Sequence, residues 1–441
     1  HEPGYRTEER RVVSSVIDLQ GLPSRVATRV MNGFDARQTV PLESHAEVGD
    51  GDGDGRADPI ELLVAQDEHR LPDLVPIRHG RMSVSAFTFY RGAAAVMASD
   101  LARVPATDFG VQLCGDAHLS NFGVFNAADR RLVFDLNDFD ETAPGPFEWD
   151  LKRLAASVTI AGRNNELEPD RIRSATRAAV RGYRETLHAV IMKSPLDLHY
   201  ARIEVESLIA DHEKLRKRTR KAIEKATRKD SVRALERLTE VVDGHRRIIA
   251  QPPLITPLDR TIDTDQIDRT REFFAGYRAS LPPHRSAVLD RYRLVDVARK
   301  VVGVGSVGTR CLIVLLESDQ EAPLFLQFKE AGPSVLERHL GASEFEQAGE
   351  RVVRGQRALQ SAGDVLLGWS RIDGRAGRPI DFYFRQLWDG KGSVEIDEMG
   401  SKRLKNYAWH CGAALGLAHA RTGDGAAIAG YLGDDRTADD V

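Results

Sequence analysis

The sequence predicts an α+β protein with two lobes and a large helical part. The chain has 441 residues, more than the roughly 250–300 at which a single hydrophobic core stops growing. Between residues 150 and 190, apolar residues recur at steps of three or four, as they do in helices packed along one face. Between residues 297 and 387, short apolar runs alternate with turn residues, a pattern typical of strands. A helical half and a strand-rich half are therefore expected.

In chain order, the first predicted helix spans Ser85 to Arg103, with Gly92 as its weak point. Short apolar runs predict strands at Gly110 to Leu113 and at Leu132 to Leu136. Helices are then expected from Asp150 to about Ile249.

The second half begins after an extended linker from Gln251 to Pro257, whose prolines bias the preceding residues away from helical geometry. A helix follows from Asp265 to Ser280, and later helices span Ser334 to Ser361 and Lys402 to Ala420. The predicted strands are Val297 to Val304, Arg310 to Glu317, Leu324 to Phe328, Val365 to Trp369 and Asp381 to Leu387.

The composition is that of a globular protein, with 41% hydrophobic and 29% charged residues. No apolar stretch approaches the about 20 residues that cross a membrane, and the first residues are too charged for a secretory signal. We therefore expect a cytoplasmic protein with no membrane partner.

The net charge of −4 gives no general reason to expect nucleic-acid binding. One basic run, Lys214 to Lys229, is either a solvated helix face or a docking surface for an anionic partner. Cys114, Cys311 and Cys411 are odd in number and far apart, so we expect reduced, buried thiols.

Carboxylates between the first two predicted strands and just after them are suited to phosphoryl transfer. That reaction requires a carboxylate facing the acceptor, ligands for Mg²⁺, and cations or backbone amides on the phosphates. Asp116 and Asn121 have the spacing of the catalytic Asp and the metal-binding Asn of a kinase catalytic loop. Asp138 follows a predicted strand as a second Mg²⁺ ligand, and Asp140 adds a carboxylate. Asp150 is expected to hydrogen-bond the backbone of the catalytic loop.

The same residues carry a resemblance to known proteins. Gly115-Asp-Ala-His-Leu-Ser-Asn121 resembles the Gly-Asp-Leu-His-x-x-Asn loop of aminoglycoside phosphotransferases and related small-molecule kinases. Asn137-Asp-Phe-Asp140 stands in the place of their metal-binding Asp motif, whereas Cys114 replaces a His of those proteins. The resemblance implies a protein kinase-like fold. It implies that Asp116 is catalytic. It places His118 at the same catalytic site, either as a structural residue of the loop or on the side where the acceptor binds.

A closer resemblance covers most of the chain. The run Cys-Gly-Asp-Ala-His-Leu-Ser-Asn-Phe-Gly from Cys114, with Asn-Asp-Phe-Asp-Glu-Thr and Trp-Asp-Leu-Lys-Arg-Leu after it, looks like an uncharacterised bacterial family. That family is known only as a domain of unknown function, and the resemblance extends from about Arg56 to Gly433. It implies no established substrate.

A glycine-rich motif, Gly303-Val-Gly-Ser-Val-Gly308, lies far downstream. A dinucleotide-binding fingerprint requires a helix to open at the last glycine, but the run from Arg310 to Glu317 reads as a strand. Strand, glycine loop, strand, turn and a strand ending in Lys329 is the order of a kinase ATP lobe.

Gly303, Gly305, Ser306 and Gly308 are therefore expected at the phosphates of ATP, and Lys329 is expected to hold the α- and β-phosphates. Lys329 should also pair with a glutamate of the next helix. The first choice is Glu337, and the alternatives are Glu344, Glu346 and Glu350.

In kinases the nucleotide lobe precedes the catalytic loop, and here the order is reversed. A circular permutation explains the reversal. Residues 1–60 would form an N-terminal extension with an acidic loop, 61–255 the helical catalytic lobe, and 256–395 the nucleotide-binding lobe. Residues 396–441 would return to the catalytic lobe, and Phe384 to Trp388 would form the hinge.

The expected function is ATP- and Mg²⁺-dependent transfer of a phosphoryl group to an unidentified hydroxyl, with a small molecule favoured over a protein. Three alternatives remain open: a nucleotidyl transferase on the same fold, a non-catalytic nucleotide-binding protein, and a metal-dependent hydrolase. The hydrolase would be built on Asp116, His118, Asp138 and Asp140.

A separate acidic segment has the residue pattern of a calcium-binding loop, with the ligand positions at Asp50, Asp52, Asp54 and Glu61. Pro59 and the lack of a helical pattern before Asp50 favour an acidic loop that does not bind Ca²⁺.

Overall fold

The computed structural model describes residues 21–47, 55–206, 231–258, 264–374, 378–387, 394–434 and 437–441. It is a mixed α+β structure with about 48% helix and 20% strand, which confirms the predicted class. No helix in these ranges is long and apolar enough to span a membrane. Several predicted features lie outside the described residues, namely Asp50, Asp52, Asp54, Trp388 and the run from Lys214 to Lys229.

Most of the helices belong to the parts of the chain before and after the strand-rich half. Those before it are α1 (Ser24–Ala36), α2 (Pro59–Asp67), α3 (Val75–Met82), α4 (Ala86–Gly92), α5 (Ala94–Leu101), α6 (Glu148–Asn164), α7 (Pro169–Val190), α8 (Pro195–Tyr200) and α9 (Ser231–Leu238). The later ones are α10 (Thr264–Ser280), α11 (Pro283–Leu289), α12 (Glu337–Leu340), α13 (Ala348–Leu359), α14 (Ser401–Thr422), α15 (Gly425–Leu432) and α16 (Thr437–Asp440).

The strands form four antiparallel sheets in the described residues. They are β1 (Gly110–Leu113), β2 (Phe122–Asn126), β3 (Leu132–Leu136), β4 (Ala143–Pro146), β5 (Ile203–Glu204), β6 (Thr239–Val242), β7 (His245–Ile248), β8 (Ile255–Pro257), β9 (Tyr292–Lys300), β10 (Cys311–Ser318), β11 (Pro323–Ala331), β12 (Gly368–Asp373) and β13 (Pro379–Gln386). The largest sheet has the order β12-β13-β11-β10-β9-β8, and the others are β1-β4, β2-β3-β5 and β6-β7.

The six-stranded sheet is covered on both faces, which explains the nearly continuous apolar runs of β10 and β11. On one face, Phe328 and Phe384 pack against α10, where Tyr277 stacks on Phe384 with ring centroids 3.9 Å apart. On the other face, Ile313 and Phe325 pack against side chains from α9, β7 and β8. Strand β11, which carries Lys329, is thereby fixed at the centre of a packed sheet.

The helical half is organised around the close approach of α7 and α14. A Cβ atom at Gly412 would lie 1.9 Å from the carbonyl oxygen of Ala179, and one at Gly182 would lie 2.1 Å from that of Trp409. The two backbones therefore touch where neither helix has a side chain. Their buried residues join the same core as strands β1 and β3.

Several sequence predictions are confirmed. Strands β1 and β3 have the predicted bounds. All three cysteines are buried and free.

Glu61 lies in the first turn of α2, where Asp58 caps the helix by accepting from the backbone N–H of Ile60.

The prediction of helices up to Ile249 is wrong at its end. Residues Thr239–Val242 and His245–Ile248 form a hairpin, and Ile255–Pro257, expected to be part of a linker, is the edge strand of the large sheet. The hairpin turn is Asp243-Gly244, with φ of 51° and 74°. Both values match the turn that an Asp-Gly pair favours between strands.

Two predicted helices are each broken in the structure. The helix expected from Ser85 to Arg103 divides after Gly92, where Ala93 has φ −114° and ψ 36°. The helix expected from Ser334 to Ser361 divides at Gly341, whose φ of 100° does not occur in an α-helix. Only the short α12 and the separate α13 remain of it.

We expect Gly412→Ala to destabilise the protein by roughly 1–3 kcal/mol, because the added methyl group must push α14 away from α7. The matched control is Gly80→Ala in α3, where a Cβ would have no heavy atom within 4 Å and alanine should be neutral or slightly stabilising. Urea denaturation of both variants measures the difference. Equal midpoints would contradict the close contact.

Candidate functional site

A cavity of about 300 Å³ lies where three segments converge. They are residues 115–121, named the catalytic loop for its predicted role, residues 137–140, named the metal-binding loop for the same reason, and the glycine motif. One wall comes from the early helices, one from the segment after β1, and one from the large sheet. The predicted site residues that line it are Asp116, His118, Asn121, Asp138, Asp140, Gly303, Gly305 and Ser306. Residues distant in sequence therefore meet in one cleft.

The catalytic loop begins where β1 ends and is held from below by Asp150. The backbone N–H groups of Cys114 and Gly115 donate to the two oxygens of that carboxylate, at 2.7 and 3.0 Å. Asp150 is 1% exposed, and these bonds are the contact that the sequence predicted. Gly115 has φ 83°, and a Cβ there would lie 2.1 Å from the carbonyl oxygen of Glu141. Only glycine fits this turn.

Asp116 is paired with Arg153, a residue that the sequence analysis did not single out. The guanidinium Nε and Nη2 atoms lie 2.8 and 2.7 Å from Asp116 Oδ1. The same guanidinium stacks over the ring of Tyr90, 3.9 Å from its centroid. Arg153 lies three residues after Asp150 on α6, so one helix face supplies both supports of the loop. The spacing of three residues from Asp150 could therefore have identified Arg153 in the sequence.

His118 is buried beside Asp116 and is neutral at physiological pH. Its Nε2 atom lies 3.6 Å from Asp116 Oδ2, and its Nδ1 atom has no hydrogen-bond partner among the described residues. Burial lowers the pKa of His118 to about 4, although the Asp116 carboxylate acts in the opposite direction. The imidazole therefore cannot serve as a cation at pH 7.

Asn121 links the catalytic loop to the metal-binding loop. Its side-chain amide donates to the backbone oxygen of Asp116 at 2.5 Å, and its backbone oxygen accepts from the N–H of Asn137 at 2.9 Å. Asn121 and Asp138 both line the cleft.

Lys329 reaches the metal-binding loop from the large sheet. Its ammonium forms an ion pair with Asp140 and lies 3.5 Å from Asp138 Oδ1. Tyr383, the partner of Lys329 across β11 and β13, donates to Asp140 Oδ1 at 2.7 Å. Burial alone would lower the pKa of Lys329, but the two carboxylates outweigh it and raise that pKa well above its usual value.

The glycine loop connects β9 to β10 and lies on the early helices. Gly303 and Gly308 have φ of 69° and 98°, values that favour glycine. Arg81 donates to the backbone oxygen of Gly303 at 2.6 Å, and the N–H of Leu71 donates to that of Gly308 at 2.8 Å. Ser306 Oγ is 3.5 Å from Asp140 Oδ2. The tip of the loop therefore lies at the carboxylates.

The predicted pairing of Lys329 with Glu337 is wrong. Glu337 accepts from the backbone N–H of Ser334 at 2.8 Å and lies 3.4 Å from Arg351. Because the predicted helix breaks at Gly341, Glu337 stays on a four-residue helix. None of the alternatives contacts Lys329 either: Glu346 pairs with Arg371, Glu350 pairs with Arg354, and no contact joins Glu344 to it among the described residues.

Two arginines also line the cleft and were not predicted, Arg70 just after α2 and Arg91 on α4. Arg70 donates to the backbone oxygen of Val307 at 2.5 Å, and burial lowers the pKa of its guanidinium to about 10. Arg91 makes no side-chain hydrogen bond or ion pair within the described ranges, and its Nε is buried. Burial lowers the pKa of its guanidinium, and the carboxylates of Asp116 and Asp138 act in the opposite direction. The cleft therefore has cationic groups opposite its carboxylates.

The donor set suits a small divalent cation. Asn121, Asp138 and Asp140 offer amide and carboxylate oxygens, the ligands that Mg²⁺ takes in proteins. In the part of the chain that the structure describes, no group of three or more His, Cys, Asp or Glu side chains is arranged to hold a metal. Asp138 and Asp140 contact Lys329 instead.

A family model described as "Uncharacterized protein conserved in bacteria (DUF2252)" matches residues 70–441. This match confirms the resemblance to a bacterial domain of unknown function, although it begins at Arg70, later than the expected Arg56, and continues past Gly433 to the last residue. No curated protein and no solved structure matches the chain.

We expect His118 to make the fold less stable in acid. The unfolded chain binds a proton at this residue below about pH 6.5, whereas the folded chain does so only near pH 4. The free energy of unfolding should therefore fall by about 2 kcal/mol between pH 7 and pH 5 through His118 alone.

Urea denaturation at pH 7 and pH 5 tests this, because His118→Gln should lose less stability on acidification than the wild type. His284→Gln, at an exposed position, is the control and should behave as the wild type. If acidification costs His118→Gln as much stability as it costs the wild type, the low pKa is wrong.

Proposed function

We propose that this chain, which belongs to the bacterial family DUF2252, is an ATP- and Mg²⁺-dependent phosphotransferase. Its acceptor would be a hydroxyl group, and the resemblance of the catalytic loop to small-molecule kinases favours a small molecule. The observation that carries the proposal is the contact of Lys329 with Asp138 and Asp140 in a cleft that the glycine loop also lines.

Phosphoryl transfer depends on positioning and on neutralising charge, and the cleft has groups for both. In this role Asn121 and Asp138 bind Mg²⁺, with Asp140 as a further oxygen ligand. Lys329 and the backbone of the glycine loop hold the triphosphate. ATP supplies the phosphoryl group, and Mg²⁺ neutralises the charge on the phosphates. The Nε atom of Arg91 has no hydrogen-bond partner among the described residues, and the guanidinium is suited to bind a phosphate oxygen.

In the proposed reaction, Asp116 accepts the proton of the acceptor hydroxyl. Both contacts from Arg153 are made to Oδ1, and no side-chain hydrogen bond to Oδ2 is present among the described residues. Arg153 therefore fixes the orientation of the carboxylate and leaves one oxygen for the acceptor. His118 is neutral and adjacent to Oδ2, so it can orient the acceptor and does not compete for the proton.

The fold that we infer is protein kinase-like with the lobes permuted. The glycine loop lies between β9 and β10, and the lysine lies on β11. This is the order of glycine loop and lysine in a kinase ATP lobe. The carboxylate loops, which follow that lobe in kinases, precede it here, and the one that carries Asp116 packs on α6.

Binding of Mg²⁺ would require Lys329 to release Asp140. Asp138 and Asp140 cannot coordinate Mg²⁺ and keep their full contact with Lys329 at the same time. When ATP binds, a phosphate can replace Asp140 as the partner of Lys329. Mg²⁺ and ATP are therefore expected to bind more tightly together than separately.

We expect Asp116→Asn to reduce transfer of the γ-phosphoryl group by about 10²- to 10⁴-fold, the usual range for loss of a general base, with ATP binding retained. The assay incubates [γ-³²P]ATP and Mg²⁺ with a panel of small hydroxyl compounds and follows ADP and labelled product. The control is Asp319→Asn, at an exposed position in the β10–β11 turn. Full activity in Asp116→Asn would remove Asp116 from this role.

The products also separate the alternatives. ADP indicates phosphoryl transfer, and pyrophosphate indicates nucleotidyl transfer. Binding of ATP with neither product would indicate a non-catalytic nucleotide-binding protein.

We expect ATP with Mg²⁺ to raise the melting temperature of the wild type, because a ligand at 100 times its Kd stabilises the folded state by about 2.7 kcal/mol. Lys329→Met keeps an unbranched side chain but removes the phosphate contact, so most of that shift should disappear. Lys402→Met, at an exposed position on α14, should keep it. A shift with Mg²⁺ that ATP does not increase would favour the metal-dependent hydrolase.

A further inference from the structure

Arg91 lines the cleft from α4 without a partner of opposite charge among the described residues. Its Nε atom is shielded from solvent, whereas its two terminal nitrogens are not. The terminal nitrogens are therefore the atoms that can reach a ligand in the cleft. A guanidinium that is partly removed from water without a counter-ion destabilises the fold, and a ligand that supplies negative charge reverses this effect.

The carboxylates and the other arginine of the lining have partners. These are Arg153 for Asp116, Lys329 for Asp138 and Asp140, Arg310 for Glu330, the backbone N–H of Val335 for Glu141, and Asp67 for Arg70. Within the described lining, Arg91 is therefore the arginine that is left for a negatively charged ligand.

Arg91 is electrostatically coupled to the proposed base. Burial lowers the pKa of its guanidinium, and of the carboxylates that oppose this effect, Asp116 acts most strongly. Burial is also the main reason for the low pKa of His118, and the positive charge of Arg91 adds to it. Lys329 instead contacts both carboxylates of the metal-binding loop. The two cations thus serve different parts of the cleft.

The anion that Arg91 binds can belong to ATP or to the acceptor. In the proposed function, the triphosphate already has Lys329, the backbone of the glycine loop and Mg²⁺ to offset its charge. The acceptor must bring its hydroxyl to Asp116, beside Arg91. A negatively charged group on the acceptor would pair with this guanidinium, whereas a positively charged acceptor, such as an amino sugar, would be repelled by it.

We propose that Arg91 makes the cleft selective for an acceptor that carries a carboxylate or phosphate group besides its hydroxyl. This inference rests on the proposed phosphotransferase activity. The hydroxyl donates to Asp116, and the anionic group accepts from the terminal nitrogens of Arg91. A guanidinium can donate two parallel hydrogen bonds to either kind of group. The likeness to aminoglycoside phosphotransferases then covers the catalytic loop and does not extend to the charge of the acceptor.

Melting temperatures of the full chain test this without knowledge of the natural acceptor. The protein is saturated with Mg²⁺ and the non-hydrolysable ATP analogue AMPPNP. It then receives glycerol 3-phosphate, glycerate, glycerol or 3-amino-1,2-propanediol, all at the same concentration and ionic strength. The two anions should raise the melting temperature further, because they bind the folded state, and the neutral and cationic alcohols should not. Equal effects of all four compounds, or no effect of the anions, would overturn the proposal.

Two substitutions of Arg91 show whether it binds the anion. Arg91→Gln removes the charge and breaks no ion pair with a described residue, so it should fold. It should weaken the binding of glycerol 3-phosphate at least about tenfold, because a charge-assisted hydrogen bond is lost. Arg91→Lys keeps the charge without the planar fork and should lose less. The control is Arg171→Gln, at an exposed position on α7, which should behave as the wild type.

The source of the anion is decided by the shift that AMPPNP causes on its own. Arg91→Gln should keep that shift. Its loss would mean that Arg91 binds ATP, and an anion effect that survives in Arg91→Gln would mean that the anion binds elsewhere; either result overturns the proposal. Failure of the proposed function looks different, because AMPPNP with Mg²⁺ would then leave the wild type unchanged. The anions added without nucleotide would still decide whether Arg91 binds them.

Discussion

The ion pairing of Lys329 with Asp138 and Asp140 is the contact on which the site depends. A lysine with a 2% exposed side chain needs nearby negative charge to stay ionised, because burial disfavours the charged form. The metal-binding loop supplies that charge from nearly 190 residues earlier in the chain. In the proposed function, Asp138 and Asp140 pair with Lys329 in the free protein and bind Mg²⁺ once ATP is present.

Helix α6 sets the geometry of the other half of the site. Asp150 holds the turn at Gly115, Arg153 holds Asp116, and Ser157 accepts from the backbone N–H of Leu119 at 3.1 Å. These three residues are spaced three and four positions apart, so they lie on one face of the helix. The catalytic loop has no regular structure of its own beyond a single 3₁₀ turn, and α6 therefore provides its rigidity.

The sequence predicted those parts of the fold and site that depend on local patterns. Strands β1 and β3 are short apolar runs closed by Gly-Asp and Asn-Asp, so their bounds were readable. The hairpin at Asp243-Gly244 has an equally local signal and was overlooked. The partners of Lys329 could not be found in the same way, because Asp140 lies 189 residues before it in the chain and no local pattern reveals such a contact. The cationic residues Arg70 and Arg91 enter the cleft through tertiary packing, which a single sequence does not reveal.

The order of the two halves bears on how the cleft can form. In the proposed kinase-like fold, the reversed order requires that the ends of the chain and the connection between the lobes do not cross the site. Strand β8 joins the edge of the large sheet, away from the central strand β11 that carries Lys329. Helix α14 packs along α7 and contacts the catalytic loop through Tyr407, whose hydroxyl lies 3.0 Å from the backbone oxygens of both Leu119 and Phe122 and can donate to either. The chain thus enters the sheet at its edge, and α14 packs against the loop that carries Asp116.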